Sequence, residues 1–407
     1  MPRLGTLVTA LAVVTLAVTV TVTVTVTANG AAAASAVVPR STSIVTWAAS
    51  ADQVGDAGPD QTFRLIVHTS AGGSGLRIRL SNALGQQPVT FGRAYAGVRQ
   101  AGAAVKAGSN RPLSFLGQGS VTLQPGDVVR SDPLPGTVPP QSDLVISLYV
   151  ETASGTATGH GMAMQTSYIA IGDHAAEPAA GAFTRSTGSW FYLDALTVDA
   201  PLGTGSVVVL GDSITDGWQS TSDRNNRWPD YLARRLAADA HTGIKGVANE
   251  GISGNKVLAD GAGQSALHRL DRDVLSQDGL RTVILFEGVN DLKGDTGASA
   301  AELIAGDRQI IARAHAAGKC VVGATILPFK GWYEWNAASE AVRQEVNTFV
   351  RTSGEFDATV DFDATLRSPY DHTRLFPPFD GGDHLHPNDK GMQSLAETMN
   401  LTQLSCH

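Results

Sequence analysis

The chain has 407 residues, of which 43% are hydrophobic and 17% are charged, so it is long enough to form more than one hydrophobic core. Its formal net charge at pH 7 is -8, and no basic block interrupts this acidic balance. A nucleic acid or an anionic membrane is therefore not expected as a partner.

Residues 1–36 have the order of a secretory signal peptide. A basic residue precedes an apolar run over residues 7–18, and residues 34–36 read Ala-Ser-Ala, the pattern of an A-x-A cleavage site. We therefore expect a secreted, extracellular protein whose mature chain starts near Val37. The alternative is an uncleaved membrane anchor, because residues 6–28 are long enough to span a bilayer, but the alternating threonines there argue against it.

Period-two alternation of apolar and polar residues recurs through residues 37–200, as in residues 62–68, 76–80 and 144–150. Turn signals rich in Gly and Pro separate these segments, and no convincing helical period occurs among them. We predict an all-β sandwich domain of the jelly-roll type over residues 37–200. Residues 152–188 are rich in Gly, Ala, Ser and Thr, so we expect them to be more loop-like and to wrap toward the next domain.

After residue 205 the pattern changes to strands that alternate with helices. Pro229 near the start of one helix, and Gly318 and Gly354 after two others, are typical boundary signals. This alternation predicts a three-layer, doubly wound (flavodoxin-like) α/β domain with a parallel sheet over residues 201–407. The predicted strands are residues 207–210, 244–248, 282–286, 320–327 and 359–362, and the predicted helices are residues 228–240, 298–317, 339–352 and one that begins near Asn388.

Four polar, glycine-associated segments lie at predicted strand ends or helix starts of this second domain: residues 211–213, 249–255, 288–291 and 383–387. The first three each follow a predicted strand. Because the carboxyl ends of parallel strands meet at one edge of a sheet, we expect these three segments to lie together.

The residue types in these segments suit nucleophilic catalysis. The Ser213 hydroxyl is a poor nucleophile until an imidazole such as that of His386 takes its proton, and Asp383 can fix the tautomer of that imidazole. The oxyanion that forms then needs hydrogen-bond donors. The natural donors are the backbone N–H groups of Ser213 and Gly254 and the side-chain amide of Asn290.

These four segments, in this order, resemble the SGNH/GDSL hydrolase superfamily of esterases and lipases over residues 205–400. The resemblance implies that Ser213 is the nucleophile, that Gly254 and Asn290 are oxyanion-hole residues, and that Asp383 and His386 are the acid–histidine pair. The second segment matches more loosely, so Gly251 is a competitor of Gly254. The N-terminal half also resembles the β-sandwich fused ahead of the catalytic domain in some secreted members.

Other polar residues near these segments allow alternatives. Asp212 can order its own loop or take part in catalysis, and Asp291 is expected to order its loop. His384 and His386 form an H-x-H pattern that, with Asp383, is compatible with a metal site. No Glu-bearing helix or second histidine pair completes such a site, so we expect neither a metal nor a cofactor.

A run of aromatic residues follows the fourth predicted strand of the second domain. Trp332, Tyr333 and Trp335 can form a substrate wall for sugar, aryl or acyl groups, or they can cap the core. Trp218 and Trp228 have the same ambiguity.

The sequence contains two cysteines, Cys320 and Cys406, and we expect them to form a disulfide in an oxidising compartment.

The function expected from these observations is that of a secreted serine esterase that hydrolyses carboxylic esters through an acyl-enzyme. The expected substrate is a small-molecule or polysaccharide ester, carbohydrate-linked or otherwise soluble. No stable membrane association and no nucleic acid are expected, and the oligomeric state is open. The alternatives are a lipase or phospholipase-type acylhydrolase, and a non-catalytic carbohydrate-binding protein.

Overall fold

The computed structural model describes residues 41–294 and 297–405. The predicted signal peptide, residues 1–36, and Cys406 lie outside the described residues. No helix within the described ranges is long and apolar enough to cross a membrane.

The N-terminal region is all-β, as its alternating pattern predicts. In chain order its strands are β1 (Ser41–Ala48), β2 (Asp52–Asp56), β3 (Gln61–His68), β4 (Gly73–Ser81), β5 (Val89–Ala101), β6 (Ala104–Val105), β7 (Arg111–Pro112), β8 (Val121–Leu123), β9 (Val128–Arg130), β10 (Leu134–Val138), β11 (Asp143–Thr152), β12 (Thr156–His160), β13 (Ser167–Ile171), β14 (Arg185–Thr187), β15 (Trp190–Phe191) and β16 (Leu193–Pro201).

Two antiparallel sheets of this region share one hydrophobic core. The first has the order β1-β16-β4-β10, with β9 also paired to β4, and the second has the order β14-β13-β3-β11-β5-β6, with β7 and β8 paired to β5. Alternate residues of each sheet point into the core, as Ile78 and Leu80 do from β4 and Leu65 and Val67 from β3. A separate small sheet has the strand order β15-β12-β2.

Helices alternate with parallel strands in the C-terminal region. Its elements are β17 (Gly205–Gly211), α1 (Ser213–Asp216), α2 (Trp228–Ala238), β18 (Ile244–Gly251), α3 (Ala266–Arg269), a π-helix (Leu270–Leu275), β19 (Leu280–Phe286), α4 (Ala300–Ala316), β20 (Cys320–Ala324), α5 (Ala337–Thr352), β21 (Ala358–Val360), α6 (Phe362–Leu366), a 3-10 helix (Pro377–Phe379), α7 (Asp389–Thr398) and a second 3-10 helix (Leu401–Leu404).

The parallel sheet has the order β18-β17-β19-β20-β21, so β17 lies between β18 and β19. Every residue of β17 is buried, and its side chains alternate between two cores. Val208 and Leu210 pack with residues of α4 and α5, whereas Val207 and Val209 pack with residues of α2 and α7. Helices therefore cover both faces of the strand that leads into Ser213.

Capping residues fix where the long helices begin. Ser299 caps α4 and forms a reciprocal capping box with Glu302, and Asn336 does the same for α5 with Ser339. Asn388 caps α7 by accepting the N–H groups of Lys390 and Gly391. The predicted helices thus exist, with starts and ends that differ from the predicted bounds by two residues or so.

The two regions pack directly against each other along β1. The N–H of Val45 donates to the carbonyl of Asp278 at 2.8 Å, and Ala49 forms a parallel bridge with Asn249, which lies in β18. Val45 and Ala48 belong to the same apolar cluster as Val208. The first strand of the N-terminal region therefore covers part of one face of the parallel sheet.

The prediction of a loop-like stretch over residues 152–188 is wrong in part, because three strands, β12, β13 and β14, form within it. They are three to five residues long and rich in small side chains, so the sequence shows little of their pattern. Pairing with β2, β3 and β15 supplies the hydrogen bonds that hold them. The fourth strand of the sheet also ends earlier than predicted, at Ala324.

Candidate active site

Three of the four polar segments follow neighbouring parallel strands. Ser213 comes two residues after β17 ends, Gly254 three residues after β18 ends, and Asn290 four residues after β19 ends. Because β17 pairs with both β18 and β19 in parallel register, the three segments open on one edge of the sheet.

The turn that carries Ser213 is tightly built. Asp212 caps the short helix α1, its side chain accepting the N–H of Ile214 at 2.9 Å. A Cβ at Gly211 would lie 2.3 Å from the Thr215 hydroxyl, so only glycine fits where the strand turns into the helix. Gly217 closes the helix in the left-handed region with φ 106°. Ser213 is thereby fixed at the start of α1 with only 5% of its surface exposed.

Ser213, His386 and Asp383 form a hydrogen-bonded row. The Ser213 Oγ and His386 Nε2 atoms are 2.8 Å apart, and His386 Nδ1 lies 2.7 Å from Asp383 Oδ2. A carboxylate can only accept, so Nδ1 carries the proton and Nε2 of a neutral imidazole is left to accept from the serine. This arrangement can take a proton from Ser213 and hold it on His386.

Asp383 is held as a carboxylate in this row. Burial raises its pKa, but hydrogen bonds from the ring and backbone N–H groups of His386, the charge of His386 and the N–H of Leu385 outweigh burial and bring it well below its usual range. The backbone bonds, from Leu385 at 3.0 Å and His386 at 2.9 Å, both reach Oδ1. One oxygen thus fixes the turn while the other faces the imidazole.

The Asn290 side chain is oriented by two contacts. Its Nδ2 donates to the backbone carbonyl of Asn255 at 2.8 Å, and its Oδ1 accepts from Lys293 Nζ at 2.6 Å. An ammonium group can only donate, so the amide oxygen is the atom that faces Lys293. The second N–H of Asn290 remains available as a donor.

The two candidate glycines differ in their surroundings. Gly254 has φ +82°, in the left-handed region, and sits in the loop after β18. Gly251 is the last residue of β18, and a Cβ there would lie 2.3 Å from the backbone nitrogen of Asp216. Gly251 is therefore required for close packing against α1, whereas Gly254 is required by the left-handed backbone of its loop.

Buried charges lie around this edge of the sheet. Burial raises the pKa of Asp212 to about 6, although the N–H of Ile214 and the charges of Lys293 and His386 lower it. Burial and the charge of Asp212 raise the pKa of Glu287 well above its ordinary value. Burial lowers the pKa of Lys293, an effect that the charge of Asp212 opposes. None of these groups replaces Asp383 as the hydrogen-bond partner of His386, and Asp212 caps its own helix.

The predicted aromatic residues divide between the site and the core. The Trp332 ring centroid is 5.8 Å from that of His386, and Tyr333, with 81% of its surface exposed, is 4.9 Å from Trp332. Trp335 packs against the cluster that covers one face of the sheet. Trp218 also reaches His386, at 6.3 Å, and is 46% exposed.

Trp228, by contrast, is a core residue. It is fully buried and makes edge contacts with Phe286 and Phe362. The ambiguity that the sequence left for this residue is therefore resolved in favour of packing.

His384 and Asp291 form hydrogen bonds with residues outside the Ser213–His386–Asp383 row. His384 Nδ1 lies 2.7 Å from Asp380, and the side chain of Asp291 accepts the N–H groups of Val257 and Leu258. In the ranges 41–294 and 297–405 no three His, Cys, Asp or Glu side chains are grouped as metal ligands.

Three contacts of this site were not anticipated from the sequence. Lys293 follows Asn290 by three residues, a spacing compatible with a turn that brings the two side chains together, and this is the only signal for it. Asp216 binds the loop before Gly254, and His160 of the N-terminal region binds Asp216. No local pattern connects residues so far apart in the chain.

Comparison with known protein families gives a match in the C-terminal region. Residues 209–394 match the model of the GDSL-like lipase/acylhydrolase family. No curated protein sequence matches the chain significantly.

Solved structures also resemble part of the chain. A carbohydrate acetylesterase from Sinorhizobium meliloti is 18% identical with a TM-score of 0.39, covering 47% of this chain and 95% of its own. The native aryl esterase of M. smegmatis is 16% identical with a TM-score of 0.39, covering 48% and 95%. A GDSL-like lipase from Bacteroides thetaiotaomicron is 21% identical with a TM-score of 0.37, covering 47% and 84%.

Proposed function

We propose, from the match of residues 209–394 to the model of the GDSL-like lipase/acylhydrolase family, that the chain is a serine esterase that works through an acyl-enzyme. The observation that carries the proposal is the row Ser213–His386–Asp383, with distances of 2.8 Å and 2.7 Å between its members. A solvated serine at a strand end would not need a histidine that is itself fixed by a carboxylate.

In the proposed reaction the Ser213 Oγ attacks the ester carbonyl carbon while His386 Nε2 takes the hydroxyl proton. Asp383 stabilises the imidazolium that results. The carbonyl oxygen becomes an oxyanion, which accepts hydrogen bonds from the N–H groups of Ser213 and Gly254 and the amide of Asn290. Collapse expels the alcohol, which takes the proton from His386 and leaves Ser213 acylated.

Water completes the cycle by the same route. His386 takes a proton from the water as it attacks the acyl carbonyl, and a second tetrahedral oxyanion forms in the same place. Its collapse breaks the bond to the Ser213 Oγ, which recovers its proton from His386, and the carboxylic acid leaves. No cofactor enters any step of this proposal.

We propose a carbohydrate-linked or small soluble ester as the substrate. The rings of Trp332 and Trp218 lie beside His386, and that of Tyr333 lies beside Trp332. Aromatic rings with polar edges suit the binding of a sugar or aryl group at a solvent-exposed surface. A lipase or phospholipase-type acylhydrolase is the second candidate, since the same aromatic faces also suit an acyl chain. A purely carbohydrate-binding role is disfavoured by the complete hydrogen-bonded row.

The finer descriptions of the fold belong to this proposal. The order β18-β17-β19-β20-β21, with helices packed on both faces, supports a three-layer, flavodoxin-like domain. The two antiparallel sheets around one core support a jelly-roll-like sandwich over residues 37–200. Secretion also remains a proposal, which rests on the sequence of residues 1–36; N-terminal sequencing of protein from the culture medium tests it.

Hydrolysis by purified protein tests the proposed function. The panel is p-nitrophenyl acetate, butyrate and palmitate together with acetylated xylan and methyl ferulate. We expect turnover of the short esters and loss of turnover in Ser213→Ala, while Ser222→Ala, a change at an exposed serine nearby, keeps it. Preference for palmitate would favour the lipase alternative, and no hydrolysis of any ester would contradict the esterase.

A further inference from the structure

A buried histidine of the N-terminal region lies at the candidate active site without a part in the proposed chemistry. His160 ends β12 and has 4% of its surface exposed. Its ring packs 5.7 Å from that of Trp190, and its Nε2 atom contacts Asp216 of the C-terminal region. Histidines in a protein core need partners for both nitrogens.

Both ring nitrogens of His160 face acceptors. Nδ1 lies 3.1 Å from the carbonyl oxygen of Ser50, and Nε2 lies 2.8 Å from Asp216 Oδ1 and 3.2 Å from the carbonyl oxygen of Met162. Carbonyl and carboxylate oxygens accept and do not donate, so both nitrogens must carry protons. The geometry describes an imidazolium paired with a buried carboxylate.

The pKa of His160 agrees with a protonated ring. Burial lowers the pKa of His160, but the charge of Asp216, its hydrogen bond and the carbonyl of Ser50 together raise it above its ordinary value. Asp216 itself is 3% exposed. Two such groups are stable in a protein interior only when each satisfies the other.

The second oxygen of Asp216 reaches the loop that contains Gly254. Asp216 Oδ2 accepts the backbone N–H of Ser253 at 2.9 Å and the Ser253 hydroxyl at 2.8 Å. Asp216 also belongs to α1, the helix that Ser213 begins. One carboxylate therefore connects the turn of the nucleophile to the residue just before Gly254.

We propose that His160 is a positioning residue that fixes the oxyanion loop through Asp216, so that the N-terminal region supplies part of the machinery of the esterase. This inference rests on the proposed function. It gives the β-region a role beyond attachment, because β12 carries the group that holds Asp216 in place.

The loop needs such an anchor for a physical reason. Gly254 has no side chain to pack and adopts φ +82°, so its peptide is free to rotate unless its neighbours are held. Asp216 holds Ser253 at two points, and His160 holds Asp216. Without the imidazolium, Asp216 would keep a buried charge with one oxygen unpaired, and it would turn away from Ser253 to find another donor.

Two replacements of His160 separate positioning from packing. His160→Leu keeps an apolar side chain but donates nothing to Asp216, whereas His160→Gln keeps one N–H donor. His68→Gln is the matched control, because His68 pairs with Asp143 inside the β-region at 2.7 Å. Each full-length variant is measured for kcat, KM, melting temperature and the Ki of a trifluoromethyl ketone, which forms an oxyanion when Ser213 adds to it.

Positioning predicts that His160→Leu lowers kcat by about ten- to a hundredfold with little change in KM, since small displacements of catalytic groups have effects of this size. The Ki of the ketone should rise in parallel, and His160→Gln should recover most of both. His68→Gln should match the wild type. If His160→Leu does not fold, His160→Gln and Ser253→Ala are each compared with the wild type instead. In each of these two variants kcat should fall by less than the factor expected for His160→Leu.

Several results would overturn the proposal. These are wild-type kcat and Ki in His160→Leu, a loss confined to KM, or equal losses in the Leu and Gln variants. A wild-type protein with no Ser213-dependent hydrolysis would instead remove the proposed function. The two failures are therefore distinguishable.

Discussion

The Asn290 amide shows how single contacts set the chemistry of the site. Its oxygen faces Lys293 Nζ and one N–H is used by the Asn255 carbonyl, so the amide has one orientation and one donor left. A flipped amide would put an NH₂ group against an ammonium. We propose that this donor serves the oxyanion: its amide is held in place before any substrate binds, which is the condition for strong stabilisation.

Removing this donor should affect the transition state more than the ground state. Asn290→Ala should lower kcat by roughly a hundred- to a thousandfold, about 3 to 4 kcal/mol, with little change in KM. Asn290→Asp should be at least as damaging, because a carboxylate has no donor and repels the oxyanion. Steady-state kinetics and thermal melts on both variants check this.

The rival account makes Asn290 a brace for its loop. It predicts that the Asp variant keeps most activity, since Lys293 could pair with the new carboxylate, and that any loss follows a lower melting temperature. Near-wild-type turnover in Asn290→Asp would remove Asn290 from the oxyanion hole.

Local sequence signals were sufficient for the residues of the row and not for their supports. Ser213, Asp383 and His386 each lie in a short polar segment at an element end, and the fold brings these segments together. Asp216 binds His160 across 56 positions of the chain. Such a contact depends on how two regions pack, which no local pattern contains.

At the level of elements, hydrophobic periodicity and helix-boundary residues predict most of the helices and strands. The long helices have capping boxes or Asn caps that are legible in the sequence, as at Ser299 and Asn388. Strands β12 to β14 were missed because they are short and contain many small residues, and their stability comes from the neighbours to which they pair. Short strands of this kind have pairing partners but little sequence pattern.

The helix α4 contains a carboxyl group whose burial has a pH-dependent cost. Burial, with a contribution from the charge of Asp291, raises the pKa of Asp307 to about 8. Between the ordinary pKa of an aspartate and this value, the folded state keeps a proton that the unfolded state releases. The free energy of unfolding therefore falls as pH rises through this window.

Asp307→Asn removes this cost, because an amide stays neutral at every pH. Relative to the wild type, the variant should gain stability as pH rises from 4 to 8, by roughly 2–5 kcal/mol at the upper end, and gain little at pH 4. Urea unfolding at pH 4, 6 and 8 measures the difference. A difference that does not change with pH would show that Asp307 is ionised in the folded protein.

At the scale of the whole molecule, the N-terminal and C-terminal regions share buried polar and apolar contacts. Ser50 of the N-terminal region donates to Glu250 at 2.8 Å and accepts from Arg269 at 2.7 Å. Arg79, which pairs with Asp194 at 2.7 Å, also donates to the Ser276 hydroxyl of the C-terminal region at 3.3 Å. Groups of this kind are costly to expose or to leave without partners.

Residues 201–407 expressed alone should therefore be poorly soluble or weakly active. Loss of β1 uncovers the apolar cluster around Val208 and leaves Glu250 and Arg269 without Ser50. Soluble yield and specific activity of this fragment are compared with those of the full chain. Equal stability and activity of the fragment would show that the β-region is only tethered.

The disulfide between Cys320 and Cys406 is a further prediction at this scale. Cys320 begins β20, and Cys406 lies outside the described residues. A bridge over this length of chain should stabilise the fold by a few kcal/mol, on the order of 4 in the chain-entropy model. Titration of thiols in the denatured, unreduced protein should find none, and two free thiols would refute the pairing.

The central claim is that Ser213 becomes acylated during turnover, and trapping the intermediate tests it most directly. The full-length protein is mixed with p-nitrophenyl acetate, quenched in acid within the first turnovers, digested and analysed by mass spectrometry, with Ser213→Ala and Ser222→Ala treated alongside. We predict one acetyl group on the peptide that contains Ser213 in the wild type and in Ser222→Ala, and none in Ser213→Ala. Turnover with the acetyl group on another residue, or undiminished turnover in Ser213→Ala, would contradict the account.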